Sequence, residues 1–226
     1  MRYLAVAIAL AVLASPVVAQ TKKTPAKRPA PARKAPPQPL TRVPATIVCP
    51  SELGMGVRTK RRYCDVLSGR VAQEGVLVTV PPHAGTATLS FELHNRHTFS
   101  PSQVQAKQAY RRYTATIGVL TMDNTLIDRA VIDSEFRAER DLYDRIAGGA
   151  GPGGVKAVAP TGSELVQFTL AQDVTQVSVL GEKLSVVRTD GTDSFTSAGR
   201  PVATISNLMI EYRPAPVARP APKKKR

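Results

Sequence analysis

Two of the three histidines in this 226-residue chain fall within one hexapeptide, Glu92-Leu93-His94-Asn95-Arg96-His97. Two imidazoles beside a carboxylate are the makings of an open metal site. In a secreted protein that chemistry would be a metal-dependent hydrolase using Glu92, His94 and His97, with Asp123 as a further acid. The geometry turns on where the strand through this segment ends. If it stops at Asn95, His97 swings back beside Glu92 and His94. If it continues, the period of two sends His94 and His97 to opposite faces and chelation fails. The preferred reading is plainer: a strand-end His-Asn-Arg-His turn that hydrogen-bonds its own loop. No metal or cofactor is therefore expected, and His94, Asn95, Arg96 and His97 stand as candidate binding residues. His83, after Pro81-Pro82, is placed too loosely to count as a ligand.

A second cluster is cationic. Arg58-Thr59-Lys60-Arg61-Arg62 follows the flexible Gly54-Met55-Gly56 and lies between the only two cysteines, Cys49 and Cys64. In an oxidising compartment these two are expected to form a disulfide, closing a short loop worth roughly 3 kcal/mol in the chain-entropy model. Held in such a loop, the side chains of Arg58, Lys60, Arg61 and Arg62 could take phosphate or carboxylate groups. The plainer reading is a solvated loop whose charges pair with nearby acids.

Other constellations are missing. The run Gly148 to Gly154, GGAGPGG, is followed by Val155-Lys156, not by the Gly-Lys-Ser/Thr of a phosphate loop, so it reads as a connection between strands. There is no G-x-S-x-G, H-E-x-x-H or D-x-D-x-D-G. Asp141 with Asp144, and Glu135 with Glu139, alternate with Arg137, Arg140 and Arg145 and read as surface ion pairs. Trp is absent, which weakens a stacking platform for sugars. No catalytic residue is nominated.

The elements that must position these groups are strands. Apolar residues alternate over Ala45–Cys49, Arg62–Leu67, Gly75–Val80, Ala87–His94, Tyr113–Met122, Leu126–Phe136, Leu165–Leu170, Gln176–Leu180, Leu184–Arg188 and Val202–Tyr212. Turn chemistry at Ser68-Gly69, Asp123-Asn124 and Asp190-Gly191 punctuates them. The spacing predicts an all-β, antiparallel β-sandwich, with the jelly roll as one form it can take, and one or two short helical insertions. One helix is expected from the Ser100 cap to about Tyr110. The other spans Ala138 to Ala147, with Leu142 and Ile146 on one face.

Composition bounds the class. Hydrophobic residues make up 42% of the chain, which excludes wholesale disorder, and two cysteines exclude a zinc ribbon or a disulfide-dense scaffold. Of 31 Lys and Arg, seven lie in residues 1–40 and five in 214–226, segments without a single acid. The body between them is nearly neutral. Residues 1–19 have the form of a secretory signal, with Arg2, an apolar run from Leu4 to Ala14 and a small-residue site ending at Ala19. Residues 20–40 read as a disordered Lys/Pro/Ala-rich linker, 41–213 as the β-sandwich domain and 214–226 as a disordered basic tail.

These features point to an exported, non-enzymatic binding or structural-interaction module of a bacterial envelope, periplasmic or at the cell surface. The expected partner is an envelope protein, a polysaccharide or its own copies, with strand addition along Val202–Tyr212 as one route. The tails would attach weakly to anionic surfaces. No specific nucleic acid and no transmembrane segment after signal cleavage are expected. Two alternatives remain: the hydrolase of Glu92, His94 and His97, and a polyanion-binding protein acting through the basic loop and tails.

Overall fold

The computed structural model describes residues 38–216. The expected signal, most of the linker and the last ten residues of the tail lie outside the described residues. Twelve strands form: β1 (Thr41–Pro44), β2 (Thr46–Val48), β3 (Glu52–Met55), β4 (Arg62–Leu67), β5 (Val76–Thr79), β6 (Ala87–Thr98), β7 (Arg111–Thr121), β8 (Leu126–Phe136), β9 (Val158–Leu170), β10 (Gln176–Arg188), β11 (Gly191–Phe195) and β12 (Pro201–Tyr212). One short α-helix, α1 (Pro101–Gln105), joins β6 to β7.

The strands lie in two antiparallel sheets of six. One has the order β3-β4-β12-β6-β9, with β1 also on β12; the other has β2-β5-β10-β7-β8, with β11 also on β10. Within these, β4-β12-β6-β9 facing β5-β10-β7-β8 is the strand order of a jelly roll, in which successive strands alternate between sheets except at the β7–β8 hairpin. The expected fold class is therefore the observed one. Leu89, Phe91 and Leu93 of β6, Ile117 and Val119 of β7, Val177 and Val179 of β10, and Ile205 and Ile210 of β12 meet in the core between the sheets.

Three loops gather at one end of the sandwich: 99–110, 137–157 and 189–200; the connection 68–75 instead runs from Ser68, beside Arg200, along the sandwich to Ala72, whose amide donates to the Asn124 side chain. The opposite end carries the tight Asp123-Asn124 hairpin, where Asn124 takes φ 68°, and the two ends of the described segment. There β1 pairs with the end of β12, setting Thr41 opposite Tyr212. Pairing continues to Ala215, whose amide donates to the Pro82 carbonyl.

Several elements differ from the sequence reading. β6 does not stop at His94 but runs to Thr98. The two strands expected over 176–188 are one, with a register shift between Gly181 and Lys183. Ser68-Gly69 turns the chain from one sheet to the other, not into a hairpin. The Ser100 cap is present, its hydroxyl accepting from the Gln103 amide, but α1 stops at Gln105. No helix forms over 138–147. After one 3₁₀ turn at Glu139–Asp141 the chain runs extended across the outer face of the first sheet, bridging Leu142 to Thr161 and Ile146 to Gly56. β12, expected to offer an edge, is flanked on both sides and cannot add a strand.

Cys49, just past β2, is bonded to Cys64 in β4, with Cα atoms 5.9 Å apart. The bond ties one sheet to the other. Replacing both cysteines by serine is expected to cost about 3 kcal/mol in urea unfolding. An unchanged midpoint would mean that sheet packing alone holds this corner.

Candidate functional site

Because β6 continues through His97, its side chains alternate faces to the end. His97 and Asn95 point between the sheets, while Glu92, His94 and Arg96 point outward. The structure thus sets His97 apart from Glu92 and His94, the three residues of the alternative metal reading. The strand-end turn is corrected too, since this segment is central in its sheet.

On the outer face, the extended segment 142–147 crosses β6 as a strap over a small second core of Leu53, Tyr63 and Ile146, with Tyr143 and Val158 packed against it. His94 lies buried beneath it. Its ring lies tilted against Tyr143 at 4.4 Å and meets Tyr63 edge-on at 5.5 Å. Nδ1 donates to the Gly162 carbonyl at 2.6 Å, and Nε2 accepts from the Ser206 hydroxyl at 2.9 Å. Gly162 presents that carbonyl at a φ of 67°, where a side chain would also strike Ser134. Burial holds the imidazole below its ordinary pKa, so it is neutral with both nitrogens occupied.

Glu92 is the hub of this face. Oε2 accepts from Arg61 Nη1 at 2.6 Å, the Tyr143 hydroxyl at 2.7 Å and the Ser163 hydroxyl at 3.2 Å; Oε1 accepts from Asn207 Nδ2 at 2.8 Å. Burial alone would raise this carboxyl, but the bonds from Tyr143, Asn207 and Arg61 hold it below the ordinary range. A second carboxylate, Asp144, pins the basic loop. It accepts from the Thr59 amide and hydroxyl at 2.9 and 2.6 Å and from the amides of Arg58 and Arg145 at 3.0 and 2.7 Å. Asp144 is buried and likewise lowered, its burial outweighed by the Thr59 hydroxyl and these amides. It is not the surface ion pair that its spacing suggested.

The basic run is largely built into the fold. Arg61 pairs with Glu92, Arg62 pairs with Glu52 at 3.1 Å, and Arg58 Nη2 donates to the Tyr143 carbonyl. Lys60 stands exposed at the turn. The charges do pair with nearby acids, yet the loop is clamped, not merely solvated. Arg96 faces Asp65 at 3.3 Å, where burial pushes the carboxyl up against the pull of that arginine.

On the inner side, Asn95 Nδ2 donates to the Ser134 hydroxyl at 2.8 Å. His97 stacks on Phe136 at 3.6 Å and shares a hydrogen bond between Nδ1 and the Tyr113 hydroxyl at 2.8 Å. Its Nε2 is buried without a partner. Burial, then the charge of Arg111, pushes this imidazole down to about 4.

Two clefts flank α1 at the loop-rich end. One, of about 590 Å³, is mostly apolar and lies between α1 and the glycine-rich loop, with Phe99, Val104, Pro152 and Val155 in its walls. Arg145 covers the Phe99 ring at 4.7 Å. The other, of about 340 Å³, lies toward the β10–β11 hairpin and is lined by Arg96, Arg111, Arg188 and Arg200 above His97 and Tyr113. Arg111, Arg188 and Arg200 carry no local motif in the sequence. The only available signal is strand register, which sets Arg111 directly opposite Arg188.

No protein-family model matches the chain, and no curated protein matches it. Among solved structures it is similar to the Agl-KA catalytic domain at 11% identity and a TM-score of 0.30, over 81% of this chain and 29% of that one. It is similar to the infectious bursal disease virus VP2 subviral particle at 14% identity and 0.25, over 84% and 37%. A GH87 alpha-1,3-glucanase catalytic domain in complex with nigerose gives 11% and 0.30, over 83% and 30%. The chain spans about a third of the length of these structures, and likenesses of this size carry no property from them to this protein.

Proposed function

We propose that this chain is an exported, non-enzymatic binding or structural-interaction module of a bacterial envelope, whose partner is an envelope protein, a polysaccharide or its own copies. The observation that supports this most is the commitment of its chemistry-bearing groups to architecture. Both nitrogens of His94 and both oxygens of Glu92 are occupied by partners that hold the strap and neighbouring strands in place. The oxidised Cys49–Cys64 pair supports an oxidising compartment. The twelve-strand sandwich leaves two long strands, β8 and β9, each paired on one side only. They run near each other and expose Val131 at 63% and Leu165 at 60%, so a strand from a partner has a template there.

Export is tested by expressing the whole chain with its own N-terminus and fractionating the cells. A product beginning at Gln20 in the envelope or medium, with both thiols protected, is the expected result; a full-length, thiol-reactive cytosolic product would overturn export. Association is tested by sedimentation of the parent and of Val131→Lys/Leu165→Lys. The paired lysines are expected to weaken self-association or capture of an envelope partner at least about tenfold, through charge placed on the edge. Identical behaviour of the two proteins would remove this edge from the proposal.

A further inference from the structure

We propose that the arginine-lined cleft between α1 and the β10–β11 hairpin is a binding site for a small molecule bearing an oxoanion, a phosphate or sulfate group, held chiefly by Arg111 and Arg200. The site lies apart from the β8–β9 edge and goes beyond the function proposed above.

The first argument is charge. Four guanidinium groups line the cleft and one carboxylate, Asp193, joins them. Asp193 is taken by Arg188, which also holds Asp190 at 3.0 Å, and Arg96 faces Asp65. The other two have no carboxylate among the described residues. Arg111 donates only to the backbone carbonyls of Gln108 and Tyr110, at 3.0 and 2.7 Å, and Arg200 lies over the Phe195 ring at 3.7 Å. Two cations are therefore gathered without counter-charge.

The second argument is register. Arg111 and Arg188 are direct cross-strand partners, and like charges at that position oppose strand pairing. An anion between them turns that repulsion into a shared contact, and guanidinium forks match the oxygens of phosphate or sulfate.

The third argument is an unpaired atom. His97 lines the cleft, its Nδ1 is engaged by the Tyr113 hydroxyl and its Nε2 is buried without a partner; in the tautomer in which the hydroxyl donates, Nε2 carries a proton that no acceptor receives. A buried donor left in that state is costly, and an anion oxygen is the acceptor it lacks. Leu184, Val186 and Phe195 add an apolar wall for the body of the ligand. A volume of about 340 Å³ sits at the low end of small-molecule sites, which suits a compound the size of a phosphorylated monosaccharide.

The test is titration calorimetry on the whole chain at low salt with inorganic phosphate, glucose 6-phosphate and glucose, beside imidazole NMR of His97. Phosphate and glucose 6-phosphate are expected to bind, the latter more tightly, with glucose silent and the His97 signal moving. Arg111→Gln/Arg200→Gln, which alters side chains at the rim, is expected to keep the circular dichroism of the parent and to weaken binding at least about tenfold. Glutamine at Lys223, Lys224, Lys225 and Arg226 is expected to leave it unchanged. Anionic phosphatidylglycerol vesicles that displace inorganic phosphate would place the group on a lipid; vesicles that leave it bound would place it on a soluble molecule. The site is refuted if neither anion binds, if the double variant binds as the parent does, or if only the tail variant loses affinity.

Discussion

Urea unfolding of Glu92→Ala at neutral pH is expected to show a loss of about 2 to 3 kcal/mol against the parent, between the scale of an exposed ion pair and that of a fully buried one, because Arg61 and Glu92 are half-buried and Glu92 carries three further hydrogen bonds. The side chain does more than neutralise Arg61. It accepts from groups on four separate segments: Arg61 ahead of β4, Tyr143 on the strap, Ser163 in β9 and Asn207 in β12. Without it the guanidinium loses its counter-charge and Tyr143 loses the bond that fixes its ring over His94. Glu92→Gln keeps shape and one or two of these bonds, so it is expected to lose about half as much. A loss under about 1 kcal/mol in the alanine variant would mean that Glu92 behaves as a surface ion pair and that the strap is held by packing alone.

Acid sensitivity is the second large effect. His94 and His97 are both held below the ordinary imidazole value, His97 at about 4. A depressed pKa means that the unfolded chain binds protons first as pH falls, so the stability contributed by the neutral rings is whole above about 6.5 and drains away toward 4. For His97 alone the span from 6.5 to about 4 corresponds to about 3 kcal/mol. His94 acts in the same direction. Below that window Glu92 and Asp144, both lowered, continue the loss as they protonate, while Asp65, pushed up by burial, works the other way. Unfolding curves from pH 7.5 to 4.5 are expected to fall steadily, and His97→Phe is expected to flatten the profile. A parent whose stability is the same at both ends would show that these rings ionise without leaving their places.

How much of this was legible varied with the kind of signal. β4 and β8 are read to the residue because alternation and turn chemistry agree at both ends. β3 hides because Glu52-Leu53-Gly54-Met55 resembles a flexible linker; its strand character comes from pairing with β4. The break seen at Gly181-Glu182-Lys183 is a bulge inside one strand, and residue types alone do not distinguish a bulge from a turn. The false helix at 138–147 has a simple cause. Leu142 and Ile146 are four residues apart, a spacing that fits the helical period and is also a multiple of two, and the extended strap uses the second. The histidine cluster turns on strand length: Asn95 and Arg96 carry turn-like residue types, yet β6 runs on to Thr98 between β12 and β9, and pairing on both sides overrides the local turn signal. The arginine cleft was not legible, because its members lie at 96, 111, 188 and 200 and only the sheet order joins them.

The pairing of β1 with the end of β12 gives the molecule a direction. The described chain starts and finishes at one pole, with Thr41 beside Tyr212, while β6 and β12 carry the sheet some twelve residues, about 40 Å, to the other pole, where α1 and both clefts lie. Whatever grips the body at the pole of Thr41 and Tyr212 leaves those clefts, at the other pole, open. Force applied through the two termini would also peel β1 from β12 one pair at a time, like a zipper, before it reached the disulfide-clasped corner or the core.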